Sequence, residues 1–193
     1  MKAKFITAAV MVLSVGQAMA ADTTVLPSNG ATWQVNAIKD SKHALIIEPS
    51  GAVNMAFNPI DNTWANGSAP FNMKVLGQTG ETMKLEAKLQ SLPRLVNGAD
   101  GKSTLNLNVA AGQVDLAPVN YVDIMAGNAL GLDGVVKGNT GAIEQIASKF
   151  TVTAKDGIAA DGTSVDAVSV PDGNYTGQMV VDFQASWTTG GEV

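Results

Sequence analysis

The chain has 193 residues, a formal net charge of −5 at pH 7 and no cysteine. Without cysteine there are no disulfides, no thiol catalysis and no thiolate metal sites, so stability must come from packing or from a partner. The acidic balance and the lack of any basic cluster argue against binding to nucleic acid or to anionic membrane surfaces.

The first 20 residues have the pattern of a secretory signal peptide. Lys2 and Lys4 form a short positive region, residues 5–15 are an apolar run, and residues 18–20 (Ala-Met-Ala) match a small-residue cleavage site. The run is too short to cross about 30 Å of hydrocarbon as a helix. We therefore expect export by the Sec pathway to the periplasm.

Cleavage after residue 20 leaves 173 of the 193 residues, enough for one domain with its own core. Both lysines of the signal are lost, so ten of the 12 basic residues remain against 17 acidic ones, and the mature net charge is −7. We divide the chain into a signal peptide (1–20), an amino-terminal extension (21–40) and a single domain (41–193).

The extension contains a strand-like pattern directly after the signal. Ala31, Trp33, Val35 and Ala37 alternate with polar residues, which is the period of a half-buried β-strand. A strand with a central tryptophan is unusual where secreted domains commonly have a loose polar tail. The pattern alone leaves two interpretations open: a first strand of the chain's own sheet, or a strand that completes the sheet of a neighbour.

The rest of the chain is predicted to be nearly all strand. Short runs alternate between apolar and polar residues, and clusters of Gly, Asn, Asp and Pro between them predict turns. The predicted strands are 43–49, 52–57, 71–76, 82–90, 104–110, 149–154 and 177–187. This spacing is typical of an antiparallel β-sandwich. Only residues 141–149 suggest a helical turn or two.

The sequence offers little support for an enzyme. His43 is the single histidine, and its place beside an apolar run favours a strand-edge or surface residue over a catalytic one. The acidic residues are scattered through predicted turns, where local hydrogen bonds to the backbone explain them. The turn residues in question are Asp100, Asp156, Asp161 and Asp172. We predict no catalytic residues, no metal site and no cofactor.

Trp64 stands in the polar stretch 61–67, DNTWANG. An exposed tryptophan there could stack on a sugar, which makes Trp64 a candidate glycan contact. The alternative, which we favour, is a ring folded back over the edge of the sandwich.

The carboxyl-terminal stretch VPDGNYTGQMVVDFQASW combines a turn, a Gly-x-Tyr-x-Gly pattern and a long alternating strand. It resembles the last strand of chaperone–usher pilins. That resemblance implies an edge gripped by a periplasmic chaperone through β-augmentation, and later by the assembly partner. The residues placed on this edge are Gly173, Tyr175, Gly177, Met179, Val181, Phe183, Ala185 and Trp187.

The front of the mature chain supports the same family. The stretch ATWQVNAIKDSKHALIIEPSGAVNMAF and the ending VPDGNYTGQMVVDFQASWTT are similar to the opening and ending of the major fimbrillins of the enterobacterial common pilus, or Mat fimbria. These are chaperone–usher pilins of the alternate class. The two matches cover about the first and last thirds of the mature chain.

The resemblance implies an immunoglobulin-like sandwich that lacks one strand. In such a fibre the extension of one subunit completes the sheet of the next by donor-strand exchange, so residues 31–37 are the expected donor strand. The implied function is a structural fimbrial subunit at the cell surface, contributing to bacterial adhesion and biofilm. The implied partners are further copies of the chain, a chaperone, an outer-membrane usher, a tip adhesin and the host-cell surface. The alternative function is a tip or secreted β-sandwich lectin that binds host glycan.

Overall fold

The computed structural model describes residues 23–27 as backbone, and residues 42–125, 130–132 and 143–189. The signal peptide and the predicted donor strand, 31–37, lie outside the described residues. Within the described ranges, no helix is both long enough and apolar enough to span a membrane.

The first sheet holds the two ends of the domain side by side. Its strands are β1 (Thr23–Pro27), β6 (Glu81–Leu89), β10 (Val122–Asp123) and β14 (Val181–Thr189), in the spatial order β1-β14-β6-β10. All three pairings are antiparallel.

The second sheet is larger and also antiparallel. Its main path runs in the order β13-β7-β8-β11-β5-β2, with β9 added beside β8 and β12 beside β11. The strands are β2 (Ala44–Pro49), β5 (Gly67–Leu76), β7 (Arg94–Asn97), β8 (Thr104–Ala111), β9 (Val114–Asp115), β11 (Glu144–Ile158), β12 (Ser164–Asp166) and β13 (Tyr175–Gln178).

A small hairpin and one short turn complete the described elements. Strands β3 (Phe57–Asn58) and β4 (Thr63–Trp64) pair with each other alone, and a 3-10 turn spans Ala167–Ser169.

The core lies between the two sheets and is built from alternate residues of the long strands. Met73, Leu85, Leu105 and Val152 are fully buried. At its centre the rings of Phe71, Phe150 and Phe183 contact one another, with centroids 5.0 to 5.8 Å apart. The inward faces predicted for 71–76, 82–90 and 104–110 are those that the core uses. The predicted all-β antiparallel sandwich is confirmed.

The predicted helical turn at 141–149 is wrong. Residues from Glu144 onward form β11, which pairs with β5 from Glu144 opposite Val75 to Lys149 opposite Pro70. Ile146 is partly buried against the core and Phe150 is fully packed in it, so the apolar residues follow the period of a strand. Long-range pairing with β5 outweighs the local pattern here.

The predicted strand 52–57 is wrong for residues 52–56, which lie in no described strand, although the inward-facing residues were predicted correctly. Val53 and Met55 are partly buried and pack on the core, and their neighbours point to solvent. Only Phe57 at its end joins a described ladder, in the hairpin with β4. Residues 51–56 thus belong to no described strand, but Val53 and Met55 pack against Gly67 at the start of β5, and the carbonyl of Ala56 accepts from the N–H of Ala65.

The predicted terminal strand 177–187 is split in two. Tyr175–Gln178 pairs with β7 in the second sheet, whereas Val181–Thr189 pairs with β6 in the first. The chain passes from one sheet to the other at Met179 and Val180. The alternation continues through this crossing, so the sequence pattern could not reveal it.

Candidate functional site

An apolar groove opens where β2 of the second sheet faces β14 of the first. Ile47 and Pro49 line it from β2, and Val181 and Phe183 line it from β14. Phe71, Phe150 and Met179 contribute further apolar surface. This part of the groove is narrow, with a volume of about 20 Å³, and most of its lining side chains are buried in the core.

A second opening continues the first, because Met179 lines both. Val53 and Met55 bound it on one side, and residues 173–179 bound it on the other. Trp64 stands among its lining residues. We call the two openings together the long groove, defined by Ile47, Val53, Met55, Trp64, Met179, Val181 and Phe183.

One edge of the long groove is an unpaired strand edge. The segment 51–56, which is in no described strand, borders the groove on one side. On the other side, β13 pairs with β7 along one edge, and no described strand lies along its opposite edge. Unpaired extended backbone beside apolar surface is a template for the addition of a strand.

The chain's own amino-terminal segment pairs with the part of β14 that directly follows the long groove. β1 pairs with Gln184–Thr188 of β14, from Thr23 opposite Thr188 to Pro27 opposite Gln184. The segment 21–40 thus can add a strand beside β14. From Gln184 toward its amino end, β14 leads back to Met179 and the Trp64 part of the long groove.

The register of β1 on β14 determines which side of the sheet Trp33 would face if the same pairing continued. Odd-numbered residues of β1 lie opposite even-numbered residues of β14, as Thr23 lies opposite Thr188. The core-facing residues of β14, such as Val181 and Phe183, are odd-numbered. Directly opposite residues share one face of a sheet, so in this register only even-numbered residues of the added strand face the core. Trp33 is odd-numbered and would face away from the core. For Trp33 to face the core, the pairing must slip by one residue from that of β1.

The Gly-x-Tyr-x-Gly pattern has a structural explanation. The hydroxyl of Tyr175 donates to the carbonyl of Pro171 at 2.7 Å, in the manner of a tyrosine corner. A Cβ on Gly173 would collide with the side chain of Asn97, and one on Gly177 would collide with the carbonyl of Arg94. These three residues shape the entry to β13 and its pairing with β7, a role that the resemblance did not imply.

Trp64 folds back over the sandwich, as favoured from the sequence. Its Nε1 donates to the carbonyl of Ala167 at 2.9 Å. Its ring lies 5.5 Å from Phe57 and 6.4 Å from Tyr175, centroid to centroid. A glycan contact at Trp64 stays a prediction.

His43 directly precedes β2, an edge strand, in line with one of the two expected placements, but it is buried and not at the surface. It is 5 % exposed, and its Nε2 lies 3.0 and 2.8 Å from the two carboxylate oxygens of Glu81. The ring of Trp187 lies 5.0 Å away. A lone histidine and a distant glutamate carry no sequence signal of pairing, so this contact was missed.

The turn carboxylates mostly behave as expected. Asp100 accepts hydrogen bonds from Ser103 and from the backbone of Lys102, and these bonds lower its pKa. Asp161 accepts from the backbone of Thr163, which lowers its pKa likewise. Asp156 departs from the expectation, because it lies in β11 and accepts from the side chain of Asn106.

One buried carboxylate was not foreseen. Asp182 is 8 % exposed, and its Oδ1 has no hydrogen-bond partner among the described residues. Burial, and then the carboxylates of Asp182 and Glu86, raise the pKa of Tyr121. Lys88 Nζ lies 4.8 Å from the centre of the Tyr121 ring. No three acidic or histidine side chains in the described ranges gather as a metal site.

Comparison with known proteins decides the family. The profile of the family "Fimbrillin MatB" matches residues 27–187, most of the chain. The chain belongs to the MatB fimbrillin family. The resemblance inferred from the two ends of the sequence is confirmed, and this fimbrillin is a structural subunit of a self-associating fimbria at the cell surface.

Several curated relatives span the whole chain. Common pilus major fimbrillin subunits EcpA from Escherichia coli strain SMS-3-5 and from Klebsiella pneumoniae are 25% and 26% identical, each over 98% of this chain and 100% of its own length. The subunit from Escherichia coli K12 is 26% identical over the same shares. Among solved structures, the CooA pilin subunit of enterotoxigenic Escherichia coli matches with a TM-score of 0.41 and 16% identity, covering 72% of this chain and 79% of that one.

Proposed function

We propose that this fimbrillin is a shaft subunit of a chaperone–usher fimbria and polymerises by donor-strand exchange. The donor is the segment 31–37 of one subunit, and the acceptor is the long groove of the next. The observation that carries the proposal is the antiparallel pairing of β1 with β14. It supports the capacity of this extension to add a strand at the edge of the groove.

The donor segment is short enough to fit along the edge of the groove. Seven residues in strand conformation extend about 23 Å. The edge from Asn174 to Phe183 has ten residues, which corresponds to about 33 Å in strand conformation. Ala31, Trp33, Val35 and Ala37 supply the apolar side chains that such a groove would bury.

The direction in which Trp33 faces depends on the register of the added strand. In the pairing of β1 with β14, an unbroken strand would turn the face of Trp33 away from the core. A one-residue slip brings Trp33 opposite Gly177 or Met179 and toward the core. A donor strand from a neighbour is free to adopt the slipped register, because it need not continue the pairing that β1 makes in its own subunit.

The remaining partners follow from the exposed edges. An apolar groove with unpaired strand edges is an aggregation hazard before assembly. A periplasmic chaperone that adds its own strand along 174–187 would protect this edge, and an outer-membrane usher would then exchange it. Sec export after cleavage at residue 20, and the division into extension and domain at residue 40, belong to this proposal.

Adhesion is the expected role of the assembled fibre. A shaft subunit presents its surface in many copies, while a separate tip adhesin contacts the host cell. Fibre contacts of this kind also support biofilm. We expect no catalytic role. The lectin alternative has no support from the family, and the Trp64 ring is engaged in packing.

The test is a gel of surface material with and without boiling. Donor-strand polymers resist detergent at room temperature, so we expect a ladder of multimers that collapses to one band on boiling. A single band under both conditions would contradict polymerisation by strand exchange.

A further inference from the structure

We infer that consecutive subunits also touch end to end, through Ile60 of the acceptor and Ile143 of the donor. The occupant of each surface is a second copy of this chain. The inference rests on the proposed donor-strand function, because the direction of the donor strand decides which ends meet.

The first surface is the tip of the β3–β4 hairpin. Ile60 is 90 % exposed there, an unusual position for a large aliphatic side chain. The tip is held in shape, because Ile60 N donates to Asn58 Oδ1 at 2.9 Å and Asn58 also bonds to Asp61. Val168, 40 % exposed, lies beside the base of the hairpin in a crevice shared with Trp64. We call this the hairpin end.

The second surface lies at the opposite end, where β2 begins. Ala44 pairs with Leu76 of β5, and Glu144 of β11 pairs with Val75. Ile143, just before β11, therefore lies level with Leu76 and about 10 Å from Ala44, which is two strand spacings. Ile143 is 70 % exposed. We call this the β2 end.

The donor strand connects these two ends of different subunits. The pairing can slip by one residue in either direction from that of β1. In one case Ala37 of the donor lies opposite Gly173 of the acceptor, and in the other it lies opposite Tyr175. Tyr175 is at the hairpin end, with its ring 6.4 Å from Trp64. Six residues, 38–43, then lead to Ala44 of the donor. Such a link reaches about 23 Å at most, so the donor's β2 end must stand close to the acceptor's hairpin end.

The two surfaces suit each other chemically. Each presents an exposed branched aliphatic side chain, and bringing them together removes apolar area from water. The contact need not be strong alone, because the donor strand holds the surfaces at high effective concentration. The arrangement is head to tail, so the same contact repeats along the fibre.

Cross-linking between introduced cysteines tests this contact, and the natural chain has none to interfere. Fibres of the double variant Ile60→Cys, Ile143→Cys are treated with a short bis-maleimide reagent and boiled. We expect a ladder of covalent multimers that survives boiling. The matched control is Ile60→Cys with Val119→Cys. Val119 is 80 % exposed but follows Ala117, which bonds to Leu89 at the far end of β6 from the β2 end.

The outcomes separate this inference from the function on which it rests. Heat-labile multimers without covalent multimers in the Ile60–Ile143 variant would overturn the end-to-end contact and leave strand exchange standing. An equal covalent ladder in the control would also overturn it, since the reaction would then be unspecific. Absence of multimers before boiling, with the variant folded, would overturn both proposals.

Discussion

Nε2 of His43 lies 2.8 Å from Oε2 of Glu81, and this contact joins the two sheets at the β2 end. His43 precedes β2 of the second sheet, and Glu81 begins β6 of the first. Their side chains are only 6% and 7% exposed. The same Glu81 oxygen accepts the backbone N–H of Gln78 at 2.8 Å. The pair therefore braces the domain at the end where the amino-terminal segment pairs with β14.

Removal of Glu81 should destabilise the subunit strongly. In Glu81→Ala, His43 loses a buried partner and Gln78 N–H loses its acceptor, so we expect a loss of about 3 kcal/mol. The matched control is Glu48→Ala, because Glu48 pairs with Lys74 in a contact that is 34% to 42% exposed. A loss within about 1 kcal/mol is expected for the control. Urea unfolding of the mature chain measures both, and equal losses would contradict the bracing role.

Gly177 should tolerate no side chain. The Cβ of Gly177→Ala would meet the carbonyl of Arg94 and lie 2.9 Å from the side chain of Leu95. Overpacking of this kind costs about 1–3 kcal/mol. Gly51→Ala is the control, because the nearest atom to its Cβ would be 3.4 Å away. Thermal melts compare the two variants. A melt of Gly177→Ala that matches the control would show that the close pairing of β13 with β7 is not required.

A charge at Met179 should block assembly while leaving the subunit folded. Met179 is partly buried and lines both parts of the long groove. A carboxylate there would be desolvated by an incoming apolar strand, at a cost of several kcal/mol. We expect Met179→Asp to give soluble subunit and no heat-labile multimers, and Met179→Leu to assemble normally. Fibres of normal yield from Met179→Asp would contradict the position of the groove.

Phe183 also lines the groove but is a poorer site for this test than Met179. Its ring packs 5.6 Å from Phe71 and 5.8 Å from Phe150, within the core itself. A charge at Phe183 would unfold the subunit before assembly could be measured.

Deletion of residues 21–40 should make the domain insoluble without a chaperone. The deletion removes β1 from β14 and leaves the backbone edge Gln184–Thr188 unpaired beside the long groove. We expect aggregation on refolding, and recovery of monomer when a synthetic peptide of residues 21–40 is added. A peptide of the same composition in scrambled order is the control. A shortened chain that purifies as a stable monomer with a cooperative melt would disprove the incomplete sandwich.

Strict alternation made most strands predictable. Residues 83–89 and 105–109 are strands of which one face packs on the core. This burial of one face produces the strict alternation of apolar and polar residues from which the strands were predicted. Residues 144–149 could not be assigned in this way, because the strand depends on pairing with β5 about 70 residues earlier in the chain.

The candidate site was predictable in composition but not in geometry. Val181 and Phe183 were assigned to the groove edge from the resemblance to pilins; both line the apolar opening, and their role in assembly stays a prediction. The crossing between sheets at Met179 leaves the alternation unchanged, so no local pattern marks it. The contact of His43 with Glu81 spans 38 positions and depends on the fold as a whole.

The central claim is that Trp33 anchors the neighbouring subunit and not its own. Trp64 is the matched control, because it packs on Phe57 and Tyr175 of its own domain. Trp64→Ala should destabilise the subunit by about 3–5 kcal/mol and lower the yield of the chaperone complex. Trp33→Ala should leave that yield unchanged, since the extension is free at this stage.

The decisive measurement is the temperature at which fibres of Trp33→Ala dissociate, compared with those of the natural chain, together with the yield of the chaperone complex. We predict fibres that dissociate at a lower temperature, because a pocket in each acceptor subunit is left unfilled, and a chaperone complex of normal yield. A reduced yield of the chaperone complex with unchanged heat resistance of the fibres would contradict donor-strand exchange through Trp33.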